Sequence, residues 1–267
     1  MQITDHLLSG DGVSFTDSPN KGGPIVPQYL VIHYTAGRDA ESSVRHFLDP
    51  GAAASAHLVI GRDGRLWQLV PFNRKAWHAG KSAWLGLEGM NRHSIGIELD
   101  NAGRLTQVGT RYQAWFGAFY PESEVVRARH KNETADAWWH AYTEAQLSAT
   151  LAVARLLVRH YGLKDVLGHD DIAPGRKADP GPAFRMASFR SNLFGRGDDG
   201  RDRLVVNAPL LNIRGGPGAE HPLVAAPLKA GTSVDLIEMA PLWAHVALAD
   251  GSGLEGWVRN SFVVPAP

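Results

Sequence analysis

The densest run of residues able to do chemistry is Gly168-His-Asp-Asp-Ile-Ala-Pro-Gly-Arg-Lys-Ala-Asp-Pro-Gly-Pro182. A loop so punctuated by Gly and Pro is entropically costly to order, and a bound metal ion would offset that cost. His169 and Asp179 lie on opposite sides of Pro174-Gly175, so the chain can fold back and bring both to one point. His33 ends the apolar run Tyr29-Leu-Val-Ile32 and would be a rigidly held third ligand. Two imidazoles, one carboxylate and a water make the shell of a catalytic zinc ion, which lowers the pKa of its bound water to roughly 7. Spacing alone leaves the alternative open. The chain has 12 His, and a strand-end His is commonly just hydrogen-bonded in a core; His46, His130, His140, His160, His221 and His245 read that way.

These residues need elements to hold them. Tyr29–Ile32 reads as a buried strand, and a short helix follows with Asp39 as N-cap and Val44, Phe47 and Leu48 on its buried side. Ala56–Ile60 and Leu66–Val70 flank Asp63-Gly64 as a hairpin. Ser94–Leu99 alternates, with Ile95, Ile97 and Leu99 on one face, so Glu98 projects from the other toward solvent or a site. A helix is expected from Thr143 to Tyr161, opened by a Thr143/Gln146 capping box and closed by Gly162. Strands and amphipathic helices interleaved in this way indicate an α/β domain with a mixed central sheet flanked by helices.

Residues 191–203 are polar and glycine-rich and read as a linker. Beyond them Leu204–Val206, Leu211–Arg214, Ser233–Ile237, Trp243–Ala247 and Gly256–Val258 are short strand-like runs split by Gly and Pro, the grammar of a small β-barrel. The expected domains are therefore 1–195 and 204–267.

Composition narrows the function. Lys+Arg and Asp+Glu both total 27 in 267 residues, so bulk charge steers the chain toward neither nucleic acid nor an anionic membrane. The absence of Cys excludes thiolate ligands and a cysteine nucleophile. No stretch has the length of a membrane span, and Met1–Gly12 lacks the basic and apolar regions of a secretion signal. The default expectation is a cytoplasmic protein, with release or non-classical export also compatible.

Val31-Ile-His-Tyr-Thr35, Ser55-Ala-His57, Ala76-Trp-His-Ala-Gly80, Ser94-Ile-Gly-Ile-Glu98 and the Gly168–Pro182 segment occur in an order that resembles the zinc N-acetylmuramoyl-L-alanine amidases of the amidase-2 type, relatives of the peptidoglycan recognition proteins. The resemblance covers most of residues 25 to 190. It implies one zinc ion per chain on His33, His169 and Asp179, with Glu98 as catalytic carboxylate and Lys177 as the basic residue near the metal. It also implies peptidoglycan or a muropeptide as substrate, cut between N-acetylmuramic acid and L-alanine. His78 reads as a substrate contact with Trp77 beside it, and Tyr34 joins them. His57 reads either as a further contact or as a hydrogen-bonding residue behind a ligand or at a strand end.

Residues 101–141 depart from compact members of the family. They carry Trp115, Phe116, Phe119, Tyr120, Trp138 and Trp139, and form either an accessory subdomain with its own core or an extension of the substrate groove. Leu211–Pro217, Leu228–Thr232, Trp243 and Gly256–Val258 are similar to a bacterial SH3-like wall-associated module. Two competing readings remain, a muropeptide-binding module without activity and a zinc peptidase of stem peptides.

Overall fold

The computed structural model describes residues 1–194, 202–240, 242–250 and 252–266. The chain divides into two compact units, Met1–Ser82 with Gly89–Gly195, and Ala83–Glu88 with Arg196–Pro267.

A six-stranded mixed sheet organises the first unit. Its strands are β1 (Val13–Phe15), β2 (Tyr29–Tyr34), β3 (Leu58–Ile60), β4 (Leu66–Gln68), β5 (Ser94–Leu99) and β6 (Asp165–Gly168), in the order β6-β2-β5-β3-β4-β1. β5 is parallel to both β2 and β3, and β6 is parallel to β2, while β3 and β4 form the antiparallel hairpin. Parallel strands at a sheet centre must be covered on both faces. On one face Leu30, Ile32, Ile95, Ile97, Leu99 and Val166 pack against Val153, Ala154 and Leu157 of helix α2 (Glu144–Tyr161). On the other, Val59 and Leu69 pack against Ala40 and Phe47 of a helix spanning Ala40–Leu48, which is α1.

The helix ends obey simple capping chemistry. Asp39 accepts from Ser42 N and Ser42 reciprocates, closing a full capping box on α1. At α2 the expected box is only half made. Thr143 accepts from Gln146 N, but the Gln146 side chain turns inward, where its Nε2 donates to the carbonyls of Ile60 and Asp100. A buried amide that ties the helix to two sheet carbonyls satisfies more backbone than a cap would. Gly162 closes the helix in the left-handed region.

Residues 101–141 build a five-stranded antiparallel sheet, in the order Phe119–Tyr120, Arg111–Gln113, Arg104–Val108, Asp136–His140, Val125–Arg129. It has its own small core of Ala102, Leu105, Tyr112 and Ala114, with Phe116, Tyr120 and Trp138 against it. Of the anticipated linker, residues 191–194 complete helix Met186–Phe194, and 195–201 lie outside the described residues.

In the second unit Glu255–Arg259, Trp243–Leu248, Ser233–Met239, Asp202–Val206 and Val263–Pro265 pair antiparallel in that order, and Leu210–Leu211 pairs with Leu228–Lys229. Among the described residues, no helix is long and apolar enough to cross a membrane.

Candidate metal centre

The carboxyl ends of β2, β5 and β6 lie side by side, the place where open α/β sheets present ligand sites. Register puts Glu98 of β5 directly opposite His33 of β2, and Gly168 opposite Ile32. His169 follows β6 immediately, at the start of a short helix, His169–Ile172. The returning loop delivers Asp179, tied back by Asp170 N donating to the Asp179 carbonyl at 2.8 Å.

Three atoms converge there. His33 Nδ1 lies 2.9 Å from His169 Nδ1 and 2.9 Å from Asp179 Oδ2, and His169 Nδ1 lies 2.8 Å from the same oxygen. All three residues are buried.

The outer hydrogen bonds decide what these atoms carry. Ser94 Oγ donates to the Met90 carbonyl at 2.7 Å, because a carbonyl can only accept. With its proton so placed, the hydroxyl offers lone pairs to His78 Nε2 at 3.3 Å, and that nitrogen must hold the hydrogen. Burial, then the charges of His33, His57 and His169, holds His78 well below the ordinary imidazole pKa, so the ring is neutral and its Nδ1 is bare. That Nδ1 faces His33 Nε2 at 2.9 Å, and His33 Nε2–H is therefore the donor. His33 is itself lowered to about 4, by burial and then by His169, which leaves its Nδ1 as a lone pair aimed at the cluster. His169 Nε2 faces the Ala79 carbonyl at 3.1 Å, an acceptor only, so the hydrogen on that nitrogen is donated outward and Nδ1 is the atom left to bind a cation. The Asp179 carboxylate oxygen can only accept, so its Oδ2 is the third lone-pair atom at this point. Three lone-pair atoms in mutual contact repel unless a cation lies among them. Two imidazoles, each hydrogen-bonded through its outer nitrogen, and one carboxylate are a donor set that fits zinc.

A cavity of about 560 Å³ opens beside the cluster, lined by Glu98, His169, Lys177 and Asp179 together with Tyr34, Trp77, His78 and Trp115. Glu98 is 8% exposed, and its Oε2 has no hydrogen-bond partner among the described residues. Burial, then the charge of Asp179, raises its pKa to about 8, with Lys177 opposing. Lys177 is exposed on the cavity wall.

The histidines behind the site occupy different positions. Both ring nitrogens of His78 point away from solvent, toward His33 and Ser94, although an edge of the ring reaches the cavity. His78 N and Ala79 N both donate to Asn91 Oδ1, which pins this turn. His57 is fully buried: its Nδ1 accepts from Gly96 N at 3.0 Å and its Nε2 faces the Arg74 carbonyl at 2.8 Å. It is not among the residues lining the cavity. Gly96 is required by this packing, since a Cβ there would stand 2.4 Å from the His78 ring. Met90 and Asn91 carry no sequence signal of their own, and the motif containing Ser94 did not show what its hydroxyl does, because these contributions exist only through the His78 loop folded onto β5.

The family described as N-acetylmuramoyl-L-alanine amidase, Amidase_2, matches residues 21–182. The chain is 37% identical over 179 residues to the N-acetylmuramoyl-L-alanine amidase AmiD of Escherichia coli (strain K12), covering 64% of this chain and 54% of that protein. It is 40% identical over 138 residues to the 1,6-anhydro-N-acetylmuramyl-L-alanine amidase AmpD of the same strain, covering 51% of this chain and 56% of that protein. The chain thus spans little more than half the length of these curated relatives. A crystal structure of a selenomethionine derivative of AmpD superposes with a TM-score of 0.51 at 29% identity, covering 72% of this chain and 99% of that one.

Proposed function

The chain belongs to the N-acetylmuramoyl-L-alanine amidase family, and from that premise we propose that it hydrolyses the amide between N-acetylmuramic acid and L-alanine in peptidoglycan or muropeptides. The observation that carries the reading is the convergence of three lone-pair atoms from His33, His169 and Asp179 beside a buried, unpaired carboxyl. His33, His169 and Asp179 would hold zinc, which when bound polarises the amide carbonyl and acidifies a water.

The protein's own groups do the rest. Glu98 Oε2 lacks a partner among the described residues, so it is available to take a proton from the attacking water and return it to the leaving amine. A dication held by its neighbours would favour ionised Glu98, against the burial that raises its pKa in their absence. Lys177 on the cavity wall supplies positive charge for the oxyanion that develops on the former carbonyl. Tyr34 and Trp77 line the same cavity and serve as substrate walls. His78 acts through His33 by fixing its tautomer.

We assign residues 1–195 as the catalytic domain, with the 101–141 insertion, and 204–267 as an SH3-like module. The support for the latter is five short antiparallel strands with the motif positions noted above. Such a module would raise the enzyme's effective concentration at its polymer.

The test is digestion of sacculi or muramoyl-tripeptide with products identified by mass spectrometry. Intact stem peptides beginning at L-alanine are expected, lost on chelation and restored by zinc. Cleavage inside the peptide would establish a peptidase instead, and binding without cleavage a recognition module.

A further inference from the structure

A second cavity, of about 500 Å³, adjoins the first, and the two share Tyr34, Ala36 and Trp115. Strand alternation makes its floor. Arg104–Val108 and Arg111–Gln113 pair with Thr106 opposite Gln113. Leu105 and Tyr112 turn into the core of the insertion, so Arg104, Thr106 and Gln113 point the other way and line the cavity.

Trp115 forms the wall. Its side chain is 79% exposed, yet its orientation is fixed, because Nε1–H donates to the Ala36 carbonyl at 2.8 Å. Ala36 holds a left-handed backbone, φ +48°, a strained conformation for a residue other than glycine. Phe116 braces the indole edge-on, with centroids 5.7 Å apart. The one polar group of the indole is therefore committed, and what it presents outward is a flat apolar face. The cationic group on this floor, Arg104, is already neutralised by Glu133 at 2.7 Å. A stem peptide brings carboxylates and calls for unpaired cations. A pyranose ring is neutral, with an apolar C–H face and a rim of hydroxyls, and it matches an indole face flanked by Thr106 and Gln113.

We propose that this second cavity is a saccharide subsite, in which Trp115 stacks on a neutral pyranose of the glycan strand next to the sugar whose amide is cut, with Thr106 and Gln113 bonding its hydroxyls. The assignment rests on the amidase reading above and deepens it: the insertion selects substrates by glycan length.

The test titrates the full chain by calorimetry with a chitin tetrasaccharide, a neutral glycan with neither peptide nor scissile amide. Trp115→Ala weakens binding about tenfold, the loss of one stacked ring, and Trp115→Phe, which keeps a ring face, weakens it less. Since Trp115 is exposed, neither change touches the core. In hydrolysis, Trp115→Ala lowers the ratio of kcat/KM for a four-sugar over a one-sugar muramoyl-peptide about tenfold, through KM. The subsite is overturned if the wild type does not bind the tetrasaccharide, if Trp115→Ala binds it equally, or if the loss follows a sugar-free stem peptide. Failure of the amidase reading looks different: neither muramoyl-peptide is cut, and the tetrasaccharide titration still decides the subsite.

Discussion

His169 and Asp170 are consecutive, yet they belong to two buried polar clusters that are completed in different ways. On one side His169, His33 and Asp179 crowd three ligand atoms together, and among the described residues no cationic side chain hydrogen-bonds those three atoms; the nearest guanidinium, that of Arg176, reaches only the outer nitrogen of His169, at 3.4 Å. On the other, Asp170 receives His130 at 3.0 Å and Lys131 at 3.0 Å, and Asp171 receives Lys131, Arg190 at 3.1 Å and Gly168 N at 2.6 Å. Burial would lower the Lys131 pKa, but Asp171 and Asp170 outweigh it and raise it. The second cluster supplies its own counter-charges and clamps the loop. The first leaves its charge to be matched from outside. A family of acidic and basic groups is thus structural where it closes on itself and functional where it does not.

The contrast can be broken at several points. Glu98→Gln, which leaves the three lone-pair atoms in place, is expected to reduce kcat by roughly 10²–10⁴ with zinc stoichiometry unchanged by atomic absorption; near-normal turnover would remove Glu98 from the proton path. Lys131→Met removes one cation from Asp170 and Asp171, which keep His130, Arg190 and Gly168 N, and should cost about 2 kcal/mol in urea unfolding, the scale of a hydrogen bond to a charged group. It should leave the zinc content at one per chain, and a metal-free but stable Lys131→Met protein would mean that the clusters are not separable.

His78 sharpens the comparison. His78→Leu removes the acceptor behind His33 and should weaken zinc about 10–100-fold in chelator competition, whereas His78→Asn, whose Oδ1 can accept the same hydrogen, should retain most of it. Equal losses in both would assign the ring a packing role only. The smallest effect concerns pH. His57 and His140 are lowered to about 4 and about 3, in both cases chiefly by burial. Each stays neutral in the fold while the unfolded chain gains a proton below about pH 6.5, so their stability contribution is full above that pH. It is lost as pH falls, by about 1.4 kcal/mol per unit for each ring, until the folded pKa is reached. Because the raised carboxyl of Glu98 acts with the opposite sign, the ring's own part is read by difference: a folded His140→Asn variant should lose about 1.4 kcal/mol per unit of the wild type's rise in unfolding free energy between pH 5 and 6, and an unchanged profile would put that ring in water.

Much of this was legible in the residues. The punctuated Gly168–Pro182 loop and the strand ending at His33 marked three converging groups, and the alternation of β5 turned Glu98 away from its isoleucines. The closure of Asp170 and Asp171 was not legible, since their cations come from the insertion and from helix Met186–Phe194. Nor was the division of labour among the tryptophans. Trp139 is buried and Trp115 exposed, but each is simply a tryptophan in an aromatic-rich stretch until the pairing of Arg104–Val108 with its two neighbours sets which face is inside.

Gly96 has no side chain, donates its N–H to His57, and lies flat beneath the ring of His78. In a saturation library scored for wall lysis, position 96 should therefore score as intolerant as the metal ligands, although none of its atoms meets the substrate. Any method that ranks functional residues by the reactivity of their side chains will pass over it. What selection would guard at that position is a volume of empty space, and the first methyl group fills it.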